Sequence, residues 1–265
     1  MEEVGIKTTI RDTELLIDVE YEKEIGIYGT EFWDGISSGL YEKDTFDFLD
    51  LSARSGSRVL VDIGSATGCM VLYASSLGMH VIGTEPQNLV FEALRRNVAL
   101  NPELSSRISI HHALVGTSSS EVSESSKFFT RGANGPLKRE IVPNQLSLES
   151  LLRTFDVTDK ISVKIDIEGA EYPLLSERRT LESLKEKKAT VFLSFHPGFN
   201  RNLGPKPGLI KLSLWRFLTL VETISFVVKL QRFSSISLLH SQSKLGLRSV
   251  ITHLIRDQKD FVLTF

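Results

Sequence analysis

Five short runs rich in β-branched residues alternate with helix-like segments through the middle of this chain, and that alternation limits the fold more than any other feature. The runs are SRVLVDIG at 57–64, HVIGTEP at 80–86, RISIHHALVG at 107–116, ISVKIDIEG at 161–169 and ATVFLSF at 189–195. Segments of helical character separate most of them, at 70–77, 89–97, 148–155 and 172–188. Nearly continuous apolar strands need cover on both faces, so strands spaced by helices predict a parallel α/β sheet sandwiched between helices. Ahead of the sheet, residues 4–22 alternate loosely around Arg11-Asp12-Thr13-Glu14, as a hairpin would. An aromatic connector with Tyr28, Phe32, Trp33 and Tyr41 follows, and Asp44 is placed to cap a short helix over 45–53. The chain thus reads as a hairpin and connector, 1–43, followed by a main domain, 44–265. FSSISLLHS and DFVLTF near the end read as two strands closing a sheet edge. Residues 116–139 are rich in Ser and Gly and break the rhythm, which predicts a mobile loop or a weak hairpin.

Charge narrows the classes of partner. Lys and Arg number 31 against 33 Asp and Glu, a net charge of -2, so there is no chain-wide basic footprint for nucleic acid or an anionic membrane surface. The stretch 209–230 is greasy but carries Lys211, Arg216, Glu222 and Lys229, and therefore reads as one or two buried helices rather than a membrane span. The N-terminus has acids where a signal peptide needs bases. The one cysteine, Cys69, forms no intrachain disulfide, and a reducing, cytoplasmic setting is expected.

The sharpest chemical signal is VDIGSATG at 61–68, after a predicted strand and before a predicted helix. Ligands of open α/β sheets bind at the carboxyl ends of the strands. Gly64 and Gly68 permit a tight turn and close backbone approach, and the amides opening the next helix favour an anionic group. A dinucleotide fingerprint reads G-x-G-x-x-G, whereas here the two glycines flank Ser65-Ala66-Thr67. Asp62 at the strand end would repel a pyrophosphate but suits an ammonium or sulfonium. Glu85 ends the next strand 21 residues after Gly64, close to the roughly 20 expected of an acid that binds ribose hydroxyls. Pro86 then stops the strand. The combination matches S-adenosylmethionine better than NAD.

VDIGSATG, VIGTEPQNLVFEALRRNVALN, SVKIDIEGAEYPLL and LSFHPGF together resemble the FkbM-type S-adenosylmethionine-dependent methyltransferases over about residues 40–200, with VKIDIEGAE the most specific piece. The resemblance implies the class I methyltransferase fold, a seven-stranded, mostly parallel Rossmann-like sheet with helices on both faces. It also implies O-methylation of a hydroxyl on a glycan or polyketide-like molecule. Asp62, Gly64 and Gly68 match the family's first cofactor motif, Glu85 its ribose-binding acid, and Asp166, Glu168, Gly169 and Glu171 its later acidic motif. Ser65, Pro86 and Ala113 complete the expected cofactor-binding set. Two positions depart from the pattern: Ala66 stands where the family usually has Asn, and Ser194 where it tends to have Glu.

Methyl transfer to an alcohol needs positioning and a destination for the hydroxyl proton. Asp166 and Glu168 follow the fourth strand and His196 the fifth, so these three are the catalytic candidates, with His196 titrating near neutrality as a general base. Glu171 reads first as an acid at a helix N-terminus. Asp166, Glu168, Glu171 and His196 also suit Mg²⁺ or Mn²⁺, but their spacing does not require a metal. Phe32 and Trp33 read as core, with a stacking floor for a sugar as the alternative. His111-His112 reads as a chain turn or the border of an adenine pocket, and Glu42 as a surface acid or a cofactor neighbour. The loops at 116–139 and 196–208, with Arg131, Lys138, Arg201 and Lys206, are the expected acceptor-recognition segments. Two other readings stay open: a non-catalytic binder of the same cofactor, suggested by Ala66 and Ser194, and an NAD(P)-dependent sugar-modifying enzyme.

Overall fold

Each apolar run becomes a strand, and the helices fall in the segments between them. The computed structural model describes residues 5–116, 127–130, 138–141, 144–156, 158–167, 170–196, 212–241, 243–255 and 260–265. The chain forms two compact units, Met1–Val115 with Ser120–Leu146, and Gly116–Ser119 with Ser147–Phe265.

The first unit opens with the expected hairpin, β1 (Ile6–Ile10) against β2 (Thr13–Ile17), antiparallel with Ile10 opposite Thr13. Arg11 takes the left-handed conformation, φ 54°, that the two-residue turn demands. Ile10, Leu15 and Ile17 point inward and are buried. Helix α1 (Val19–Glu24) is capped by Asp18, whose Oδ1 accepts from Tyr21 N at 3.1 Å. Helices α2 (Thr30–Ser37) and α3 (Lys43–Arg54) follow. Asp44 does not cap α3. The helix begins at Lys43, preceded by Glu42 at φ 57°, whose Oε2 accepts from the Thr45 hydroxyl at 2.7 Å. Then come β3 (Val59–Ile63), α4 (Cys69–Ser76), β4 (His80–Glu85), α5 (Asn88–Ala99), α6 (Pro102–Ser105) and β5 (Ile108–His112). All five residues of β3 are buried, as a strand covered on both faces requires. Strands β3, β4 and β5 pair in parallel, with Asp62 opposite Gly83 and Glu85 opposite His112. Short strands β6 (Leu114–Gly116), β7 (Lys127–Thr130), β8 (Lys138–Ile141) and β9 (Gln145–Ser147) end this half. Strands β7 and β8 pair antiparallel, with Lys127 opposite Ile141.

The second unit holds α7 (Leu148–Leu152), β10 (Ile161–Ile165), α8 (Glu171–Ser176), α9 (Arg178–Glu186) and β11 (Thr190–Ser194), followed by α10 (Leu212–Leu230), β12 (Ser235–Ser237), α11 (Leu247–Ile255) and β13 (Asp260–Thr264). Strand β10 pairs in parallel with β11, and β13 lies antiparallel between β11 and β12. The seven strands run in the order β12-β13-β11-β10-β3-β4-β5, the mostly parallel, helix-flanked sheet expected of a class I methyltransferase.

Two elements differ from the sequence reading. The helix expected over 172–188 is two, α8 and α9, broken at Glu177, whose extended backbone (ψ 128°) ends one and whose Oε2 accepts from the Thr180 hydroxyl at 2.9 Å in the next. The greasy stretch is one helix, α10, but not a buried one throughout. Thr219, Thr223, Phe226, Val227 and Leu230 face inward, whereas Leu218, Leu220 and Val221 are 42%, 41% and 46% exposed. Among the described residues no helix is long and apolar enough to cross a membrane.

Phe226 anchors α10. Its ring lies 4.7 Å from that of Tyr172 and 5.2 Å from that of Phe195, and those two rings are 4.8 Å apart. Truncating this triple contact leaves a cavity, so Phe226→Ala is expected to cost about 3–5 kcal/mol in urea unfolding. A loss below about 1 kcal/mol would show that the cluster collapses without penalty.

Candidate active site

A tight turn joins β3 to α4. Gly64 (φ 83°) and Gly68 (φ 96°) both take left-handed conformations open to glycine. The turn is pinned from the next strand: Gly64 N and Ser65 N each donate to the Thr84 carbonyl at 3.0 Å. Ser65 Oγ donates back to the Asp62 carbonyl at 3.0 Å. A Cβ on Gly68 would lie 2.5 Å from Leu94 Cδ1, so the turn and α5 approach closely only because that residue has no side chain.

Two carboxylates end the strands beside this turn. Asp62 is fully buried, and Glu85 is 5% exposed. Glu85 Oε2 accepts from Ala66 N at 3.1 Å and Oε1 from Gln87 N at 2.9 Å, so the acid of β4 is bonded directly to the turn after β3. Ala113, buried just past β5, donates its N–H to the Glu85 carbonyl at 3.2 Å. The Pro86 carbonyl lies 3.2 Å from His112 Nε2. A carbonyl only accepts, so that nitrogen carries the proton. The His112 ring stacks on Phe91 with centroids 5.0 Å apart. Asp62, Gly64, Ser65, Gly68, Glu85, Pro86 and Ala113 therefore belong to one continuous structure within the first unit.

One member of this structure has no signature in the sequence. Glu22, on α1, is fully buried. Its Oε2 accepts from Trp33 Nε1 at 2.7 Å and its Oε1 from Asn97 Nδ2 at 3.2 Å. Asn97 Nδ2 also donates to the Thr67 carbonyl at 2.9 Å, inside the glycine turn. Burial raises the Glu22 pKa, opposed by the hydrogen bonds from Trp33 and Asn97. Trp33 is completely buried, so the aromatic reading as core holds for it and a sugar floor does not.

The second unit carries a separate polar cluster. Asp166 follows β10, Glu171 begins α8, and His196 lies two residues past β11. Glu171 is fully buried and more than a helix-terminal acid. Its Oε1 accepts from Ile167 N and lies 3.2 Å from both that nitrogen and His196 Nδ1. A proton on Nδ1 leaves Nε2 as the basic nitrogen of a neutral imidazole. Nε2 is 3.9 Å from Asp166 Oδ1, beyond hydrogen-bond length. The neighbours of both partners are packed ring to ring, Tyr172 beside Glu171 and Phe195 beside His196, which fixes the pair. Ligand atoms of Asp166, Glu171 and His196 all lie within 4.8 Å of one another, a spacing that can hold a metal ion. The buried Lys164 Nζ, 4.0 Å from Asp166 Oδ2, already places a cation there. Glu168 and Gly169 lie outside the described residues, as do Arg131, Arg201 and Lys206.

A family model described as the methyltransferase FkbM domain matches residues 62–204, just over half of the chain and spanning both clusters. The chain belongs to this family. The FkbM match carries S-adenosylmethionine as cofactor, and the first cluster fits it: two buried or nearly buried carboxylates for cationic and hydroxyl groups, beside a turn that begins and ends in glycine. No curated protein gives a significant match. Among solved structures, monomeric WbdD is 15% identical over 64% of this chain with a TM-score of 0.38, and the chain spans 35% of that protein. The SAH-bound methyltransferase PaMTH1 of Podospora anserina is 9% identical over 89% of this chain and 82% of its own, with a TM-score of 0.45.

Both departures from the family pattern have a structural counterpart. Ser194 Oγ donates to Asp260 Oδ1 at 2.7 Å, so a carboxylate reaches this strand end from β13. Ala66 stands at φ 48°, a left-handed conformation that costs an L-residue with a Cβ roughly 1–2 kcal/mol and that Asn and Gly tolerate better. Ala66→Gly is therefore expected to stabilise the fold by about 1 kcal/mol in urea unfolding, and a destabilised variant would refute the strain. Glu22 gives a pH signature. Its folded pKa is raised, so its contribution to stability is fully present below the unfolded value and is lost as pH rises through the folded one. The Tm of Glu22→Gln minus that of the parent should rise from about pH 4 to about pH 7. A thermal-melt series that shows a constant gap would contradict it.

Proposed function

We propose that this FkbM methyltransferase transfers the methyl group of S-adenosylmethionine to a hydroxyl of a glycan or polyketide-like small molecule, with His196 as the base. The observation that carries the reading is the buried Glu171 carboxylate on His196 Nδ1. An aliphatic hydroxyl is barely acidic, so it benefits from a base at the moment of attack, by roughly 10²–10⁴-fold.

S-adenosylmethionine supplies an electrophilic methyl group on a cationic sulfur. Asp62 would face its positive charge and Glu85 its ribose hydroxyls, with the Gly64–Gly68 turn against the amino-acid portion. His196 Nε2 would take the acceptor hydroxyl's proton as that oxygen receives the methyl group. Glu171 holds the imidazole in the tautomer that leaves Nε2 basic, and favours the imidazolium that results. Asp166 and its neighbour Lys164 are placed to orient acceptor hydroxyls. In each unit the cluster follows the carboxyl ends of parallel strands, where open α/β sheets bind ligands. The one cysteine suits a reducing compartment such as the cytoplasm.

Calorimetry with S-adenosylhomocysteine and with NADH tests the donor. Binding of the former is expected, weakened at least about tenfold in Asp62→Ala and Glu85→Ala, and binding of NADH alone would end this reading. Product formation across a panel of glycans and hydroxylated small molecules tests the base. His196→Ala should lose roughly 10²–10⁴-fold in turnover while still binding S-adenosylhomocysteine, and undiminished turnover would remove His196 from its role.

A further inference from the structure

The glycine turn is an unusual stretch of backbone to leave unsupported. Ala66 (φ 48°) and Gly68 (φ 96°) are both left-handed, so the residue between them, Thr67, sits in no repeating structure and must be held from outside. Thr67 is 1% exposed. Asn97 Nδ2, from α5, donates to its carbonyl at 2.9 Å and to Glu22 Oε1 at 3.2 Å. Asn97 is itself fixed at its other end, where Oδ1 accepts from Asp18 N at 2.9 Å.

We propose that Glu22 is a positioning residue for the cofactor-binding turn: through Asn97, which bonds the Thr67 carbonyl, it holds the Gly64–Gly68 backbone in the shape that receives the nucleoside donor. The inference rests on the donor-site reading above and extends the site to the N-terminal segment, which sequence motifs leave outside it. Chemistry favours a carboxylate in this place. Trp33 Nε1–H and Asn97 Nδ2–H converge on one side chain, each on its own oxygen. An ionised carboxylate only accepts, and so satisfies both donors without conflict, whereas an amide must turn an N–H toward one of them. Burying a carboxylate is costly for folding, and an apolar side chain would fill the same volume at less expense. What the carboxylate adds is a bonded path from α1 through Asn97 to the Thr67 carbonyl.

Three substitutions in the full chain, Glu22→Gln, Asn97→Ala and Trp33→Phe, separate this role from general packing. Binding of S-adenosylhomocysteine is read by calorimetry and folding by the Tm of each variant alone. Glu22→Gln and Asn97→Ala should each weaken binding about 3–10-fold, the worth of one hydrogen bond. Their combination should be no weaker than the worse single variant by more than about twofold, because both cut the same link. Trp33→Phe removes a bond on the far side of Glu22 and should lower Tm while leaving affinity within about twofold of the parent. The proposal is overturned if folded Glu22→Gln and Asn97→Ala bind like the parent, or if Trp33→Phe weakens binding as much as they do. Should Glu22→Gln not fold, Asn97→Ala decides alone. A parent protein that fails to bind S-adenosylhomocysteine would refute the donor site itself, a result distinct from either of these.

Discussion

The Thr84 carbonyl, accepting at once from Gly64 N and Ser65 N, is the point on which the rest of the first unit turns. It locks the loop after β3 to the end of β4. With that registration in place, Glu85 meets Ala66 N rather than solvent, and α4 begins where its first amides face the crevice. Left-handed residues on both sides of Thr67 follow from the same geometry, because a chain leaving a parallel strand and entering a helix within five residues has few other routes. Strain at Ala66 and the close approach of Gly68 to Leu94 are the local costs of that route.

Support for the turn arrives from parts of the chain far away in sequence. Glu22, Trp33 and Asn97 form a buried polar network in which each donor finds an acceptor, and such networks rigidify when fully satisfied. The hairpin and α1 thereby become part of the architecture behind the cofactor loop, through Asp18, Glu22 and their bonds to α5. The second unit uses a similar device with different parts. Tyr172, Phe195 and Phe226 pack ring against ring, and the polar residues next to the first two, Glu171 and His196, are brought into hydrogen-bond contact. In both units a rigid hydrophobic or polar scaffold sets a reactive or ligand-facing group, the arrangement that positional catalysis requires.

Much of this was legible in the amino acids. The runs around Val61, Ile82, Val163 and Phe192 are strands because β-branched and aromatic residues in continuous stretches suit a sheet covered on both faces. The glycine spacing and Glu85 marked the cofactor crevice because they act locally, within one strand-turn-helix unit. Other features were hidden. Glu171 reads as an ordinary helix-terminal acid, and only its contact with His196, 25 residues away, gives it another meaning. Glu22 looks like one of several acids on a short amphipathic helix. The break at Glu177 and the outward face of α10 likewise depend on what packs against each turn of helix.

Sequence alone settled the five central strands and most of the helices between them, where the chain must turn tightly after β3, and which acid stands at the end of each strand. These are matters of backbone preference and short-range periodicity, and they are written in neighbouring residues. Tertiary structure decided which of the many acids are buried and which donors they meet: Glu22 with Trp33 and Asn97, Glu171 with His196, Ser194 with Asp260. Such pairings join residues far apart in the chain, and the free energy of a buried charge depends on surroundings that only folding assembles.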